Sequence, residues 1–308
     1  MPKVSVIIVT YNAMKWAEKC FSSLKSSSVP VTCIVIDNCS TDGTQNFIQT
    51  HFPEVDFIQS ENNLGFGKAN NIGIEKAYKN GADFFYLMNQ DAWIYHDSFE
   101  KLLKVYEQHP NPKEIGILSP MHLDGSEQLL DIFLDKYIAH NFEKNRLISD
   151  LYFQKLKPYY EMNFINAAHW LIPRNTIETV GGFNPYFFHY GEDIEYVNRV
   201  HFHQKKILLV PESKVVHDGK QNLKKVDPKK YEDLSIETKM INPNLPNAII
   251  FEKKSLRKSI LKNLLTGNTS EYKTLLEKYR KISKEEKKLS EIRNQVQQIG
   301  LTFLNTYI

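Results

Sequence analysis

Four short apolar runs recur between Val4 and Asp91, each closing on a polar cluster, and all but the last leading into a helical pattern. Val4–Val9 ends at Thr10-Tyr11-Asn12, and Val31–Ile36 ends at Asp37-Asn38. Val55–Gln59 ends at Glu61-Asn62-Asn63, and Phe84–Met88 ends at Asn89-Gln90-Asp91. Between them, apolar residues at helical spacing predict helices over 15–26, 45–50 and 65–80. Such alternation restricts the chain to an α/β fold, with a mostly parallel sheet and helices on both faces joined by right-handed crossovers. The runs are apolar throughout rather than alternating, as strands covered on both sides require.

Ligands of such sheets bind outside the carboxyl ends of the strands. One polar cluster there is an ordinary loop; four on one edge predict a site. A nucleotide suits it. Asp37 could accept from the imide N–H of a uracil or thymine, and Tyr11 could pack along the base. Gly65-Phe66-Gly67 permits close backbone approach at a helix start, where a phosphate is favoured. It lacks the third glycine of a dinucleotide fingerprint, and no Gly-Lys-Ser/Thr phosphate loop occurs, which argues against a Rossmann dehydrogenase and a P-loop enzyme. Asp91 with one further ligand could hold a divalent cation, and His217 is the candidate partner. Gly191-Glu192-Asp193 opens a helix over 194–203 behind the aromatic run Tyr186-Phe187-Phe188-His189-Tyr190; Asp193 is either a helix-end acid or a general base.

The chain has 308 residues, enough for a large domain or two smaller ones. Its net charge of +3 does not predict nucleic-acid binding, but the charge is uneven. From Ile250 onward, 13 Lys and Arg stand against 6 Glu; the preceding part carries 26 basic and 30 acidic residues. A basic helical tail on a mildly acidic body is expected. Within it, 252–265 reads as an amphipathic helix. The stretch 270–298 reads as a long charged one, with Leu275, Ile282, Leu289 and Val296 seven apart, a spacing that suggests self-association. The first could lie on an anionic membrane surface or pack on the body. Cys20, Cys33 and Cys39 lack metal spacing and fit a reducing, cytoplasmic compartment. Met1-Pro2-Lys3 runs straight into a strand, so no signal peptide is expected. The pattern weakens from 121 to 161.

As a set these segments resemble the inverting glycosyltransferases of family 2, including rhamnosyltransferase-like members. Val6–Asn12 is similar to the family's opening strand, and Val35–Thr44 to its V-D-N-x-S-T-D-G-T hallmark. Asn62–Gly73 is similar to its N-x-G-F segment, and Leu87–Asp91 to a variant D-x-D. Phe187–Asp193 resembles the acceptor-side E-D motif, and Val215–Gly219 the late histidine segment; the likeness covers about 1–220. It implies a GT-A fold over 1–246, with a nucleotide-sugar half to about 120 and an acceptor half beyond, and a helical C-terminal extension over 247–308. It implies nucleotide-sugar contacts at Thr10, Tyr11, Asn12, Asp37, Asn38, Asn63, Gly67, Asn89 and Gln90. It implies Mn²⁺ or Mg²⁺ at Asp91 and His217, Asp193 as catalytic base, and Trp170, Tyr190 and Glu192 on the acceptor side. A UDP- or dTDP-sugar donor and a glycan or lipid-linked acceptor follow, at the inner face of the membrane. Asn89 replaces the first Asp of the motif and leaves one carboxylate at the metal. Two other readings stay open: a non-catalytic nucleotide-sugar-binding subunit on the same fold, and a sugar nucleotidyltransferase. The latter class needs a Gly-rich basic N-terminal loop, which Thr10–Lys15 is not.

Overall fold

The computed structural model describes residues 2–141, 146–219 and 228–305. The described chain divides into two compact units, one of residues 2–219 with 299–305 and one of 228–298. The boundary expected at 246 therefore lies inside the second unit.

The first unit opens with β1 (Val4–Thr10), α1 (Ala17–Lys25), β2 (Val31–Asp37), α2 (Thr44–His51), β3 (Asp56–Gln59), α3 (Phe66–Lys79) and β4 (Phe84–Asn89). It continues with β5 (Ala92–Ile94), α4 (Ser98–Gln108), β6 (Ile115–Leu123), α5 (Ile132–His140), α6 (Leu147–Tyr152) and β7 (Tyr160–Met162). β8 (His169–Pro173), α7 (Arg174–Val180), α8 (Glu192–Phe202) and β9 (Lys206–His217) complete it. The strands run in the order β3-β2-β1-β4-β8-β6-β9-β5, with β7 also pairing β9. β3, β2, β1 and β4 are parallel, as the alternation predicts. β8, β5 and β7 enter antiparallel, so the whole sheet is mixed. β6 and β9 pair in parallel and shift register between Pro120 and Met121.

Strand periodicity explains the continuous apolar runs. Ile7, Ile34, Ile36, Phe85 and Leu87 point to one face and pack with Ala69, Ile74 and Ala77 of α3, Ile177 of α7 and Tyr196 of α8. Val6, Ile8, Cys33, Val35, Phe84, Tyr86 and Met88 point to the other face, against Phe21 of α1, Ile48 of α2 and Phe99 of α4. Each run serves two helix layers, so neither parity can be polar. Gly73 lets α3 lie close to the sheet: a Cβ there would fall 2.4 Å from Ile7 Cγ2.

The last described residues also belong to this unit. Thr302 O accepts from Gly182 N at 2.8 Å, and Asn305 N donates to Glu75 Oε1 at 2.8 Å. They are not part of the helical tail, contrary to the expected 247–308 extension.

The second unit consists of α9 (Pro228–Ile241), α10 (Ala248–Leu265) and α11 (Thr269–Gln295). Leu275, Ile282 and Leu289 of α11, followed by Val296, are buried among these helices. The seven-residue spacing thus marks packing within the chain, and the seam is not open for self-association as expected. α10 buries Ile249 and Leu256 but exposes Ile250, Phe251, Leu261, Leu264 and Leu265. Among the described residues, no helix is long and apolar enough to cross a membrane.

Candidate active site

The site lies along the carboxyl ends of β1, β2, β4 and β9 and the start of α8. At its first end Asp37, paired with Thr10 in the β1–β2 register, is fully buried. Its Oδ1 accepts from Thr10 Oγ1 at 2.7 Å and Ser40 Oγ at 2.6 Å. Its Oδ2 accepts from Ser40 N at 2.8 Å, Gln59 Nε2 at 3.1 Å and Gln45 Nε2 at 3.2 Å. A carboxylate offers about four lone-pair sites, so this one is saturated by the chain. A direct bond to a base would have to displace a glutamine amide.

Around Asp37 the expected contact residues are tied together by backbone bonds. Asn38 accepts from Leu64 N and donates to Gly65 O, both at 3.2 Å, joining β2 to the turn before α3. Asn12 accepts from Thr41 N at 2.8 Å, and Asn63 accepts locally from Gly65 N at 2.9 Å. Gln90 accepts from Tyr11 N at 2.6 Å and donates to Tyr11 O at 3.1 Å. The Tyr11 ring is left exposed, free to lie along a planar ligand.

The second end is made by the antiparallel pairing of β5 with β9, which sets Ala92 opposite His217. Asp91 Oδ1 comes within 3.7 Å of His217 Nε2, and Asn89 Nδ2 within 3.3 Å. The other ring nitrogen, Nδ1, lies 3.1 Å from Asp131 Oδ2. Burial pushes the His217 imidazole down, but the hydrogen bond to Asp131 and the charges of Asp91, Asp131 and Asp218 outweigh it and raise its pKa. Burial raises Asp131, and its bonds to His217 and to the Leu134 and Phe133 N–H groups bring it below the ordinary carboxylate value. Among the described residues, no group of three His, Cys, Asp or Glu is placed to hold a metal ion. Asp91 and His217 form a corner of one carboxylate and one imidazole. Sequence reading missed Asp131, which falls where the pattern is weakest.

Two further histidines are buried nearby. His169 is held between the Tyr86 hydroxyl at 2.7 Å and Val216 O at 3.1 Å, and burial pushes it down to about 3. His122 bonds the Ser119 hydroxyl at 3.0 Å and is likewise pushed down by burial.

The third part is the start of α8. Glu192 is buried, and its Oε2 has no hydrogen-bond partner among the described residues. Burial, then the neighbouring Asp193, pushes its carboxyl up to about 8, and burial pushes Asp193 up to about 6. This turn touches the donor side directly. Phe188 O accepts from Phe66 N at 3.3 Å, and a Cβ on Gly67 would lie 3.8 Å from Glu192 Cβ. Arg199 holds α8 from behind: its guanidinium pairs with Glu195 at 2.9 Å, both fully buried, and donates to Val180 O and Gly182 O. Phe188 and Tyr190 form an exposed aromatic rim. Trp170 does not join them. It is fully buried on β8, donates to Ile165 O at 3.2 Å and stacks on Phe183, so the structure corrects its acceptor-side placement. Its neighbours on the strand are equally buried, and either parity would have hidden it.

Asp91, His217 and Asn89 thus come together, as do Thr10 with Asp37, Tyr11 with Gln90, Asn38 with Gly65, and Gly67 with Glu192. The part of this edge that carries Asp37 and Asp91 falls in a segment that known proteins share. Residues 5–116 match the model of glycosyl transferase family 2. An N-acetylglucosaminyl-diphospho-decaprenol L-rhamnosyltransferase of Mycobacterium tuberculosis is 25% identical over 232 residues, 69% of this chain and 75% of the relative. Among solved structures, S. aureus TarS 1-349 in complex with UDP-GlcNAc superposes with a TM-score of 0.56 at 14% identity, over 93% of this chain and 92% of that one. The mannosyltransferase PcManGT from Pyrobaculum calidifontis, in complex with GDP-Man and Mn²⁺, superposes with a TM-score of 0.53 at 17% identity, over 79% and 63%. At such identities the structures speak for the fold alone. Over residues 5–116, which carry Asp37 and Asp91, the chain matches family 2 of the glycosyltransferases; with rhamnosyltransferases among its relatives and these superposed structures, it is a glycosyltransferase of the GT-A fold.

Proposed function

We propose that this glycosyltransferase moves a sugar from a UDP- or dTDP-sugar to a hydroxyl of a glycan or lipid-linked acceptor, with inversion, in the assembly of a bacterial surface polysaccharide. The observation that carries the reading is the Asp91–His217 corner beside the Tyr11–Gln90 contact, at the end of the sheet where such folds bind ligands. Two donor atoms 3.7 Å apart can both reach a Mg²⁺ or Mn²⁺ ion at about 2.1 Å. Carboxylate oxygen with imidazole nitrogen suits Mn²⁺, and a donor diphosphate would complete the sphere. The donor set therefore fits the cation, with Asp91 and His217 holding it. When bound, it supplies Lewis-acid stabilisation of the departing nucleoside diphosphate.

Asp193 is the base in this reading. It takes the acceptor hydroxyl's proton while that oxygen bonds the anomeric carbon and the bond to the diphosphate oxygen breaks on the opposite face. Its pKa of about 6 leaves it ionised, yet basic, near neutral pH. Phe188 and Tyr190 offer rings against an apolar sugar face, and Glu192 offers a carboxyl O–H to a sugar oxygen. On the base side, Tyr11 and the Gln45 and Gln59 amides meet the nucleobase. Asp37 accepts its imide N–H by releasing one of those amides. A thermal-shift screen of UDP-, dTDP- and GDP-sugars with Mn²⁺ tests the donor class, because bound ligand raises the melting temperature. No shift with any uridine or thymidine donor, against a shift with a guanosine one, would overturn it.

Peripheral contact with an anionic membrane belongs to the same reading. α10 exposes Ile250, Phe251, Leu261, Leu264 and Leu265 beside Lys254, Lys258 and Lys262. Flotation of the full chain with phosphatidylglycerol vesicles, lost in a K254E/K258E/K262E variant, is the expected result.

A further inference from the structure

We infer that Asp131 is a positioning residue, which sets the tautomer of His217 so that Nε2 presents a lone pair to a cation at Asp91. The inference rests on the reading of Asp91 and His217 as the metal corner. Asp131 is fully buried, although it lies outside the family match. Its two oxygens have separate duties. Oδ1 caps α5, accepting from Phe133 N at 2.9 Å and Leu134 N at 3.0 Å. Oδ2 faces His217 Nδ1 at 3.1 Å. An ionised carboxylate only accepts, so Nδ1 carries the proton and Nε2 of the neutral ring is free. The proximity of Asn89 Nδ2 to Nε2 at 3.3 Å agrees, since an amide N–H would donate to that unprotonated nitrogen until a cation displaced it. Buried carboxylates that fix a ligating histidine in this way are a recurring support for metal sites.

The path of the chain enforces this contact. β6 leaves the sheet at Leu123, which bridges Leu130 across a tight loop, and Asp131 N returns to donate to His122 O at 2.9 Å. The loop is pinned at Glu127, whose carboxylate accepts from Lys19 Nζ at 2.8 Å, Trp93 Nε1 at 3.2 Å and the Tyr95 hydroxyl at 2.6 Å. Asp131 is thereby held at the start of α5 and against β9 at once.

The cap makes a sharp test possible. In Asp131→Asn the amide oxygen is claimed by the two helix N–H groups, which only an acceptor can satisfy. The amide NH₂ then occupies the Oδ2 position and donates to His217 Nδ1. The ring proton must move to Nε2, where it points at the metal corner. Asp131→Ala removes cap and anchor together and leaves the ring free to choose its tautomer. Mn²⁺ is titrated into the full-length protein with UDP, and in parallel with dTDP, and free Mn²⁺ is followed by electron paramagnetic resonance. Melting temperatures are measured without metal. His217→Ala and Asp91→Asn report on the corner itself. Expected is a loss of Mn²⁺ affinity of about 10–100-fold in Asp131→Asn with a melting temperature near wild type. Asp131→Ala should lose less affinity and more stability. Affinity that follows stability, with Asp131→Ala worse in both, would reduce Asp131 to a helix cap and overturn the inference. So would wild-type affinity in Asp131→Asn while His217→Ala binds poorly. Unchanged affinity in His217→Ala and Asp91→Asn would instead overturn the metal corner, and the inference with it.

Discussion

Gly65 couples the two halves of the site, and its replacement by alanine should expose that coupling. Its backbone sits at φ 78° and ψ 178°, a region that is essentially glycine-only and costs a side-chain-bearing residue about 1–3 kcal/mol. A Cβ there would lie 2.1 Å from Phe188 O and 3.0 Å from its carbonyl carbon, both backbone atoms. The Phe188 turn must therefore move, and with it goes the Phe66 N–H bond to Phe188 O, worth about 0.5–1.5 kcal/mol. Gly65→Ala should cost about 2–4 kcal/mol in all, or about 5–15 °C in melting temperature for a unit of this size. Gly81 supplies the control. It lies at φ 76° with nothing within 4 Å of the added Cβ, so alanine there meets only the backbone penalty of about 1–2 kcal/mol. Transfer should separate the two further. Phe188 leads directly to Asp193, and a displacement of about 1 Å at a reacting group can cost about 10²-fold. Gly81→Ala should turn over near the wild-type rate, and Gly65→Ala far below it. Both variants are followed by thermal denaturation and labelled-donor transfer. Equal melting temperatures, or equal transfer rates, would refute the coupling.

Asp193→Asn should retain donor binding and lose transfer by about 10²–10⁴-fold; transfer near the wild-type rate would dismiss it as the base. In the wild type, transfer should fall as pH drops through about 6, where Asp193 takes up its proton. Glu192 holds its proton more tightly folded, at about 8, than unfolded, so the native state loses stability as pH rises from about 4.3 to 8. Glu192→Gln should flatten that part of the stability curve, gaining most over wild type above pH 8 in denaturant titrations. Arg199→Met strands the buried Glu195 carboxylate and should cost about 3–5 kcal/mol, of which Glu195→Leu in the same chain recovers only part, because Val180 O and Gly182 O still lose their donor.

The part of the site that is legible in sequence is the part built from local pattern. Strands β1, β2 and β4 are continuous apolar runs, and their polar ends mark the ligand edge without any tertiary knowledge. Asp91 and His217 can be paired as candidates from their residue types, but what joins them is β5, only three residues long and hidden behind the cluster it follows. Asp131 leaves no signal. It lies 86 residues from His217 in a stretch of charges and aromatics without periodicity, and its role arises from a loop pinned by Glu127. Trp170 misleads for the opposite reason. The resemblance puts it on the acceptor side, but β8 is covered on both faces. The spacing of Leu275, Ile282 and Leu289 does mark a seam, though not an open one, because a seam looks the same whether its partner is another chain or α9 and α10.

Asn89 and Asp131 bear on one quantity, the negative charge within reach of His217. With Asn at 89 the motif keeps one carboxylate, Asp91, at Nε2, with the charge of Asp218 also felt by the ring, while Asp131 stands behind it and makes Nε2 a stronger donor. The second carboxylate of the usual motif is in effect moved to the far side of the ring. Asn89→Asp would restore it in front, and the consequence differs with and without metal. In EDTA, the introduced carboxylate would add a second negative charge beside Asp91 and replace the amide that now lies 3.3 Å from His217 Nε2, so the variant should melt below wild type. With Mn²⁺ the added charge becomes a ligand, and the difference should close or reverse, because an ion bound only by the native state stabilises it in proportion to affinity. Paired melting curves in EDTA and in Mn²⁺ decide this. A variant that is destabilised equally in both would show that residue 89 does not face the cation, and that the charge behind His217 has nothing to replace.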